Sequence, residues 1–254
     1  MQIHKNTLDL WNTDGVLKVL NFFDRTTINK ALKAVDRIQK CSGDNLWMSH
    51  YELVNKKKQL CRVENFVPFH PDLRSIVYND VLLMWLSQLL GEPVCLYKEK
   101  INFKLPGGAG YNAHQDAPAY PHLQNHITCM IPLDSTNTAN GCLEFAKKKH
   151  LCGIFPTNKN GCLQSGIEKD FQWLPCSLEP RDIVFFTSLT PHRSSPNTSN
   201  RARRAIYLTY NAQSEGDLRN EYYKEKERAF KHSELNEENT RLSLIGHFQG
   251  KAPQ

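Results

Sequence analysis

A histidine and an aspartate, His114 and Asp116, are separated by a single residue in the stretch YNAHQDAPAY. On a β-strand the side chains of residues i and i+2 project from the same face, so these two can offer an imidazole nitrogen and a carboxylate oxygen to one metal ion. The strongest candidate for a third ligand is His192, because it follows an apolar, strand-like run and begins a loop. Two histidines and one carboxylate on one face of an octahedral ion leave three positions open, which a bidentate cosubstrate and dioxygen can take. This ligand set is typical of non-haem Fe(II) oxygenases.

A second pair of histidines, His122 and His126, has the i, i+4 spacing that a helix would place on one face. The glutamate of a zinc-protease His-Glu-x-x-His motif is absent, and Pro121 lies beside the pair. These histidines are therefore weaker candidates than the first set. A further histidine, His150, is expected on the rim of the site.

The segment RRAIYLTYN, which begins at Arg203, has the composition of a β-strand. Alternation would turn Arg203 towards the interior with Ala205 and Tyr207, and would leave Arg204 on the other face as a solvated or strand-edge charge. A buried arginine is costly unless it meets an anion, and its planar guanidinium suits a carboxylate. We therefore predict that Arg203, helped by the hydroxyl of Ser194, binds one end of a dicarboxylate cosubstrate whose other end binds the metal.

The elements that must position these residues change in character along the chain. Residues 14–23 read as a strand, residues 24–40 as a helix with a Thr or Asp cap, and residues 72–91 as a second helical region. From residue 94 to residue 210, short apolar runs are punctuated by Gly, Pro, Asn and Asp, which is typical of an all-β sandwich or barrel. The polar tail from Glu215 is expected to be helical in part.

These signals predict a mainly β fold with flanking helices. No internal repeat, low-complexity tract or clear linker divides the chain. We therefore predict a single domain over residues 1–254, with a β core at about 94–212, helical support at the N-terminus and a C-terminal tail.

The composition is that of an ordinary globular protein, with 254 residues, 40% hydrophobic residues and a formal net charge of +6. No stretch approaches the roughly 20 apolar residues that a membrane-spanning helix needs, and the N-terminus lacks the pattern of a secretory signal. None of the eight cysteines forms a Cys-x-x-Cys pair. We expect a cytoplasmic protein with reduced thiols and no membrane partner. The basic residues lie in three separate clusters, so no nucleic-acid partner is expected.

Three motifs together resemble those of one enzyme family: HQD at 114–116, NGCLEF at 140–145, and PHRSSPNTSNRARRA at 191–205. They are similar to the phytanoyl-CoA dioxygenase family of Fe(II)- and 2-oxoglutarate-dependent oxygenases over roughly residues 10–230. The resemblance implies a double-stranded β-helix (jelly-roll, cupin-like) core, with Fe(II), 2-oxoglutarate and O2 as cofactor and cosubstrates. It also implies that Asn102, on the strand before the first motif, contacts 2-oxoglutarate.

The resemblance further implies that 2-oxoglutarate is oxidised to succinate and carbon dioxide while a substrate C–H bond is hydroxylated. Related halogenases replace the carboxylate ligand by a small residue, whereas Asp116 is present here, which favours hydroxylation. One departure from the family pattern is AKKKH at 146–150, where many members carry Pro-Gly-Ser-His. This departure affects a rim loop and not the metal ligands.

The stretch KEKINFKLPGGAGYNAHQDAPAY is most similar to the family branch that acts on soluble metabolites. We therefore predict a small-molecule substrate that is charged and soluble, such as an aminophosphonate or an amino-acid-like compound. Lys104, Tyr111 and Tyr120 are the candidate substrate-binding residues, and Lys98 and Lys100 lie near the same mouth.

Several alternatives stay open at this point. The chain could be an acyl-CoA or natural-product hydroxylase of the same family. It could also be a nucleic-acid oxidative demethylase built on the same iron site, or a metal-binding protein without catalytic activity. An acyl-CoA hydroxylase would need a long basic groove for the CoA phosphates, and the demethylase would need a contiguous basic surface.

Overall fold

Eleven β-strands in the described part of the chain form two antiparallel sheets. The structure is a computed structural model that describes residues 2–41 and 47–234. The strands are β1 (Val16–Val19), β2 (Met48–Val54), β3 (Lys57–Glu64), β4 (Val94–Lys104), β5 (Tyr111–His114), β6 (His126–Pro132), β7 (Leu143–Ala146), β8 (Trp173–Cys176), β9 (Ile183–Thr187), β10 (His192–Ser194) and β11 (Arg203–Ala212).

The order of the strands is that of a jelly roll. The larger sheet runs β1-β9-β6-β11-β4-β3-β2, and the smaller sheet runs β5-β10-β7-β8. From β4 to β11 the chain passes back and forth between the two sheets, with β4, β6, β9 and β11 in the larger one and β5, β7, β8 and β10 in the smaller. The predicted mainly β fold with a double-stranded β-helix core is confirmed.

Alternate residues of the larger sheet face two different hydrophobic layers. On β11, Ile206, Leu208 and Tyr210 belong to the core that packs against the helices, whereas Ala205 and Tyr207 pack with residues of the smaller sheet. This is the period of two expected for a strand buried on both sides. The functional side chains described below lie on the inner face, between the sheets.

Five helices flank the sheets among the described residues: α1 (Lys5–Asp14), α2 (Arg25–Lys40), α3 (Pro71–Val77), α4 (Asp80–Leu90) and α5 (Arg219–Glu234). Helix α2 begins after Asp24, whose carboxylate accepts a hydrogen bond from the backbone N–H of Thr27 at 2.8 Å, as an N-cap does. The region at 72–91 that we predicted as one helical segment is two helices. Asn79 interrupts it because its side chain caps α4 through the N–H of Leu82 at 3.1 Å.

The hairpin of β2 and β3 was not predicted from the sequence. Its strands pair from Met48↔Glu64 to Val54↔Lys57, and the two turn residues, Asn55 and Lys56, have φ of 50° and 64°. A two-residue turn with both φ values positive matches the twist of a β-hairpin. The hairpin extends the larger sheet, because β3 pairs with β4 through Arg62↔Asn102.

The described part of the chain contains no helix that is long and apolar enough to cross a membrane. The single domain over 1–254, the cytoplasmic location and the absence of a nucleic-acid partner stay predictions. The predicted helical tail is present as α5, and its continuation from residue 235 lies outside the described residues.

Candidate active site

Strand pairing in the smaller sheet brings the two predicted histidine ligands together. β5 and β10 are antiparallel neighbours, and His114 lies directly opposite His192. Their ring centroids are 4.1 Å apart. Asp116 follows the end of β5, and one ligand atom from each of the three residues lies within 4.8 Å of the others. Among the described residues this is the one group of three or more histidine, cysteine or acidic side chains with such geometry.

Backbone carbonyls orient both imidazole rings. Nδ1 of His114 lies 2.7 Å from the carbonyl oxygen of Asn112, and Nδ1 of His192 lies 3.0 Å from that of Thr190. A carbonyl can only accept, so each Nδ1 carries the proton and each Nε2 keeps a lone pair. Metal-binding histidines are held in this way in many proteins.

The charge states of the three side chains also suit a divalent metal. Burial lowers the pKa of His114 to about 3 and lowers the pKa of His192, so both rings are neutral at ordinary pH. Burial alone would raise the pKa of Asp116, but His192 and the two nearby lysines, Lys98 and Lys100, lower it below its usual range. Two neutral nitrogens and one carboxylate are the donors that Fe(II) takes in the facial arrangement, so the residues fit the metal.

The carboxylate of Asp116 has one oxygen positioned by a neighbouring strand. Its Oδ2 accepts a hydrogen bond from the hydroxyl of Thr128 on β6 at 2.9 Å, and Thr128 lies 3.0 Å from the hydroxyl of Thr209 on β11. The larger sheet therefore holds the aspartate in place, while the smaller sheet carries the histidines.

A second part of the site is a buried arginine without a carboxylate partner. Arg203 is fully buried. It donates hydrogen bonds to the carbonyl oxygen of Gly141 at 2.9 Å and to the hydroxyl of Tyr207 at 3.1 Å. Its Nε has no partner, and no carboxylate among the described residues pairs with it. An arginine left in this state fits an anionic ligand such as the carboxylate of 2-oxoglutarate.

The neighbouring arginine has the opposite environment, as the alternation of the strand predicts. Arg204 points towards the helices, where it pairs with Asp134 at 2.9 Å and with Asp36 at 2.5 Å. Its charge is thus compensated within the protein, which leaves Arg203 as the one of the two that can bind a ligand.

Ser194 and Lys104 lie at the same end of the site as Arg203. Lys104 is the cross-strand partner of Arg203. It donates to Oγ of Ser194 at 2.7 Å and to the carbonyl oxygen of Ser195 at 2.6 Å. Burial and the charge of Arg203 lower the pKa of Lys104 to about 6. The sequence analysis placed Lys104 at the substrate mouth, whereas in the structure its ammonium group lies beside the predicted cosubstrate residues.

A cavity of about 180 Å³ opens beside His114 and Asp116. Three cationic side chains from the larger sheet line it: Arg62 on β3, and Lys98 and Lys100 on β4. Both predicted tyrosines line it as well. Tyr111 accepts a hydrogen bond from Arg62 at 3.1 Å, and Tyr120 is hydrogen-bonded to Lys98.

The two buried lysines of the cavity have carboxylates nearby, on Asp116 and Glu64, but no direct ion pair. No carboxylate among the described residues forms an ion pair with Lys98 or Lys100. Burial lowers the pKa of both lysines and Arg62 lowers it further, whereas the charges of Asp116 and Glu64 raise it. Lys100 lies over the ring of Tyr207, with its ammonium 5.1 Å from the centroid. The cavity therefore suits an anion, whose charge would favour the protonated form of both lysines.

Arg62 was not identified as a site residue from the sequence. The residue lies on the unpredicted hairpin, where β3 places it opposite Asn102, and its Nε donates to Oδ1 of Asn102 at 3.2 Å. Behind it, Glu64 lies 3.5 Å from Arg62 and is hydrogen-bonded to Lys226 on α5. The polar tail therefore supports the wall of the cavity. The alternation of LCRVE in β3 is the signal that could have identified a strand here.

The other candidate ligands do not join the site. His122 and His126 share no helix: Nε2 of His122 lies 3.1 Å from the hydroxyl of Tyr97, and His126 begins β6. In the rim segment AKKKH, Lys147 pairs with Asp14 at 2.7 Å, and its lysines do not line the cavity.

A jelly roll that holds two histidines and an aspartate beside a buried arginine defines the class of non-haem Fe(II) oxygenases. The chain belongs to the phytanoyl-CoA dioxygenase family, because the model of that family, Phytanoyl-CoA dioxygenase (PhyH), matches residues 11–205. The protein is an Fe(II)- and 2-oxoglutarate-dependent dioxygenase, with O2 as the other cosubstrate.

Two curated relatives cover much of the chain. A methylphosphonate hydroxylase of Gimesia maris is 41% identical over 249 residues, which are 97% of this chain and 96% of that protein. A 2-aminoethylphosphonate dioxygenase of the uncultured bacterium HF130_AEPn_1 is 39% identical over 188 residues, 72% of each chain.

Solved structures share the fold at low sequence identity. The epimerase SnoN, in complex with Fe3+, alpha ketoglutarate and nogalamycin RO, superposes with a TM-score of 0.72 at 17% identity, over 82% of this chain and 83% of that chain. EctD from S. alaskensis, with 2-oxoglutarate and 5-hydroxyectoine, gives a TM-score of 0.71 at 16% identity, over 84% and 77% of the two chains. These two comparisons support the jelly roll.

Proposed function

We propose that this dioxygenase hydroxylates a small phosphonate bound in the cavity beside the metal site. The observation that carries the proposal is the convergence of Arg62, Lys98 and Lys100 on a space that reaches His114 and Asp116. A phosphonate group has three oxygens around phosphorus and up to two negative charges, so it can accept hydrogen bonds from several cations at once. The two phosphonate-oxidising relatives support the same substrate class.

In this proposal, His114, Asp116 and His192 hold Fe(II). Arg203 binds the far carboxylate of 2-oxoglutarate, and Ser194 adds a hydroxyl hydrogen bond. When bound, the iron activates dioxygen, which oxidises 2-oxoglutarate to succinate and carbon dioxide and hydroxylates the substrate.

Two further residues complete the cosubstrate site. We assign Lys104 to 2-oxoglutarate, and not to the substrate, because its ammonium group already contacts Ser194. Asn102 lies between the cosubstrate residues and the cavity, opposite Ala205 on β11 and Arg62 on β3. Its side chain can therefore contact 2-oxoglutarate while its Oδ1 holds Arg62 in place.

The residues of the chain would then set the orientation of the substrate. With its phosphonate oxygens held by Arg62, Lys98 and Lys100, a short carbon chain has little space in which to turn away from the metal ligands. Tyr111 and Tyr120 fix two of these cations through hydrogen bonds and exclude water from the same wall. Such positioning is what a hydroxylase needs in order to select one C–H bond.

The volume of the cavity weighs against the other substrate classes. Pockets for drug-sized ligands usually measure about 300–1,000 Å³, whereas this one measures about 180 Å³. An acyl-CoA or a polycyclic natural product exceeds that space. An amino acid fits by size, but its single carboxylate would leave much of the surrounding positive charge unpaired.

Turnover with a panel of compounds tests the proposal. The iron-loaded protein would be incubated with 2-oxoglutarate and with methylphosphonate, ethylphosphonate, an amino acid or a short acyl-CoA, while succinate and the hydroxylated product are measured. We expect a phosphonate to increase succinate formation above the uncoupled rate and to yield a product heavier by one oxygen atom. If an amino acid or an acyl-CoA gave coupled turnover and no phosphonate did, the proposal would be wrong.

A further inference from the structure

The charges around the cavity are almost all of one sign. Besides Arg62, Lys98 and Lys100, a fourth cation, the exposed Lys159, lines the cavity at the loop between β7 and β8. Of the described residues that line it, only Asp116 is acidic, and its carboxylate belongs to the metal triad. A positively charged group on the substrate would therefore face four cations without a carboxylate of its own.

Three neutral side-chain oxygens that line the cavity are already engaged. The hydroxyl of Tyr111 accepts from Arg62 at 3.1 Å, and that of Tyr120 is hydrogen-bonded to Lys98. Oδ1 of Asn158 accepts from the backbone N–H groups of Asn160 and Cys162, at 2.9 Å and 3.2 Å. These oxygens hold the cations and the loop in place, so an ammonium group would compete with existing donors for them.

The amide of Gln115 is occupied in the same way. Its Oε1 accepts from the backbone N–H of Phe155 at 2.8 Å, and its Nε2 donates to two backbone carbonyls. The carboxylate of Glu64 is not a lining residue, and both of its oxygens are used: Oε1 lies 3.5 Å from Arg62 and Oε2 is hydrogen-bonded to Lys226. Neither side chain is available to a substrate ammonium.

The cavity does offer a surface for hydrocarbon. Pro118 and Ala119, two and three residues after Asp116, line it next to the metal triad. An alkyl group can contact these side chains without losing hydrogen bonds, because it has none to lose. The cationic wall and the apolar wall thus match the two ends of an alkylphosphonate.

We propose that the preferred substrate is an alkylphosphonate without an amino group, and that the cavity selects it over an aminoalkylphosphonate of the same size. This inference rests on the proposed function and narrows it. The discrimination is electrostatic: an ammonium group brings a like charge into a desolvated cluster of cations, which is a common way to reject a competing ligand.

Two pairs of compounds of equal size separate charge from shape. Propylphosphonate and 2-aminoethylphosphonate differ by a methyl group in place of an ammonium group, and so do ethylphosphonate and aminomethylphosphonate. Dissociation constants would be measured by calorimetry without oxygen, with Mn(II) in place of Fe(II) and with 2-oxoglutarate present. We expect the alkyl member of at least one pair to bind about tenfold or more tightly than its amino counterpart.

The outcomes distinguish this inference from the proposed function. If the aminoalkyl compounds bound as tightly as the alkyl compounds, or more tightly, the inference would be overturned while the proposed function stood. If no phosphonate bound at all, the proposed function would fall, and the inference with it.

A change of charge inside the cavity gives a second test. Asn158→Asp supplies a carboxylate and keeps the oxygen that accepts the two loop N–H groups, so the loop should retain its conformation. Asn160→Asp makes the same change at a neighbouring residue that does not line the cavity, and it is the control. Asn158→Asp should reduce the preference for the alkyl compound by about two- to fivefold, the range of an exposed ion pair. Equal behaviour of the two variants would contradict the electrostatic explanation.

Discussion

Strand β4 contributes to two clusters of basic side chains, at the two ends of the site, and the clusters differ in what surrounds them. At the Arg203 end, Lys104 and Arg203 meet the hydroxyl of Ser194 and the backbone carbonyls of Gly141 and Ser195. At the Arg62 end, Arg62, Lys98 and Lys100 surround an open cavity beside the metal ligands. Among the described residues, no carboxylate forms a direct ion pair with Lys98, Lys100, Lys104 or Arg203.

The difference supports the proposal that each end binds a separate anion. At the Arg203 end, most N–H donors are already bonded to fixed acceptors. The few donors that remain suit one planar carboxylate. At the Arg62 end, cations from two strands surround an open cavity, which suits a tetrahedral group. In this proposal, the substrate binds at Lys100 and the cosubstrate at Asn102, two residues further along the same strand.

The largest expected effect comes from removing the metal site that serves both ends. Asp116→Ala removes the charged ligand and should reduce succinate formation below detection, with iron binding lost and the thermal unfolding temperature little changed. Thr128→Val is the matched control, because it removes the hydroxyl that hydrogen-bonds Asp116 and Thr209 but keeps the ligand. We expect the control to lose roughly 10- to 100-fold in activity or metal affinity. Wild-type hydroxylation by Asp116→Ala would show that the carboxylate ligand is misassigned.

The next largest effect should separate Arg203 from its neighbour. Arg203→Ala should weaken 2-oxoglutarate binding by about 2–5 kcal/mol, because a buried carboxylate would lose its charge-assisted partner. Arg204→Ala should leave 2-oxoglutarate binding unchanged and should lower the stability of the protein instead, since Arg204 pairs with Asp134 and Asp36. Uncoupled succinate formation against 2-oxoglutarate concentration provides the measurement. Equal losses in the two variants would remove the distinction between the faces of β11.

A smaller effect should be confined to the Arg62 end. Lys100→Met keeps most of the side-chain volume and removes one charged donor, so the affinity for a phosphonate should fall by about 1.5–3 kcal/mol. The affinity for 2-oxoglutarate should stay the same. Lys147→Met, which breaks a pair with Asp14 away from the cavity, should change neither value. A loss of 2-oxoglutarate affinity in Lys100→Met would mean that the two ends do not bind different anions.

The smallest expected effect is a pH dependence at the Arg203 end. Burial and Arg203 hold the pKa of Lys104 near 6 in the free protein, so most of this lysine is neutral at pH 7–8. A bound carboxylate would raise that pKa, and 2-oxoglutarate binding would therefore take up a proton. Affinity should then fall a few-fold per pH unit above about pH 6. Calorimetry in buffers of different ionisation enthalpy can measure the uptake, and Lys104→Met should abolish it. Proton release on binding would contradict the assignment.

The sequence was sufficient for the parts of the site that depend on local spacing. His114 and Asp116 are two residues apart, and the opposite faces of Arg203 and Arg204 follow from the period of a strand. The pairing of His114 with His192 is a long-range contact, but it follows from the jelly-roll order, which the family resemblance implied. These residues are brought together by the common core of the fold.

The residues that define the substrate cavity were harder to find, because they come from outside that core. Arg62 is carried by a hairpin whose polar turn, VNKKK, hides the alternation of its strands. Lys226 reaches Glu64 from a tail that is polar along most of its length. Lys104 was predicted as a substrate-binding residue, and its contact with Ser194 could not be foreseen because it joins two strands that are distant in sequence.

A structure of the protein with Mn(II), 2-oxoglutarate and methylphosphonate tests the central claim most directly. We expect the phosphonate oxygens to lie within hydrogen-bond distance of Arg62, Lys98 and Lys100, and the far carboxylate of 2-oxoglutarate to lie against Arg203. A phosphonate bound at Arg203, or 2-oxoglutarate extending into the cavity lined by Lys98 and Lys100, would contradict it.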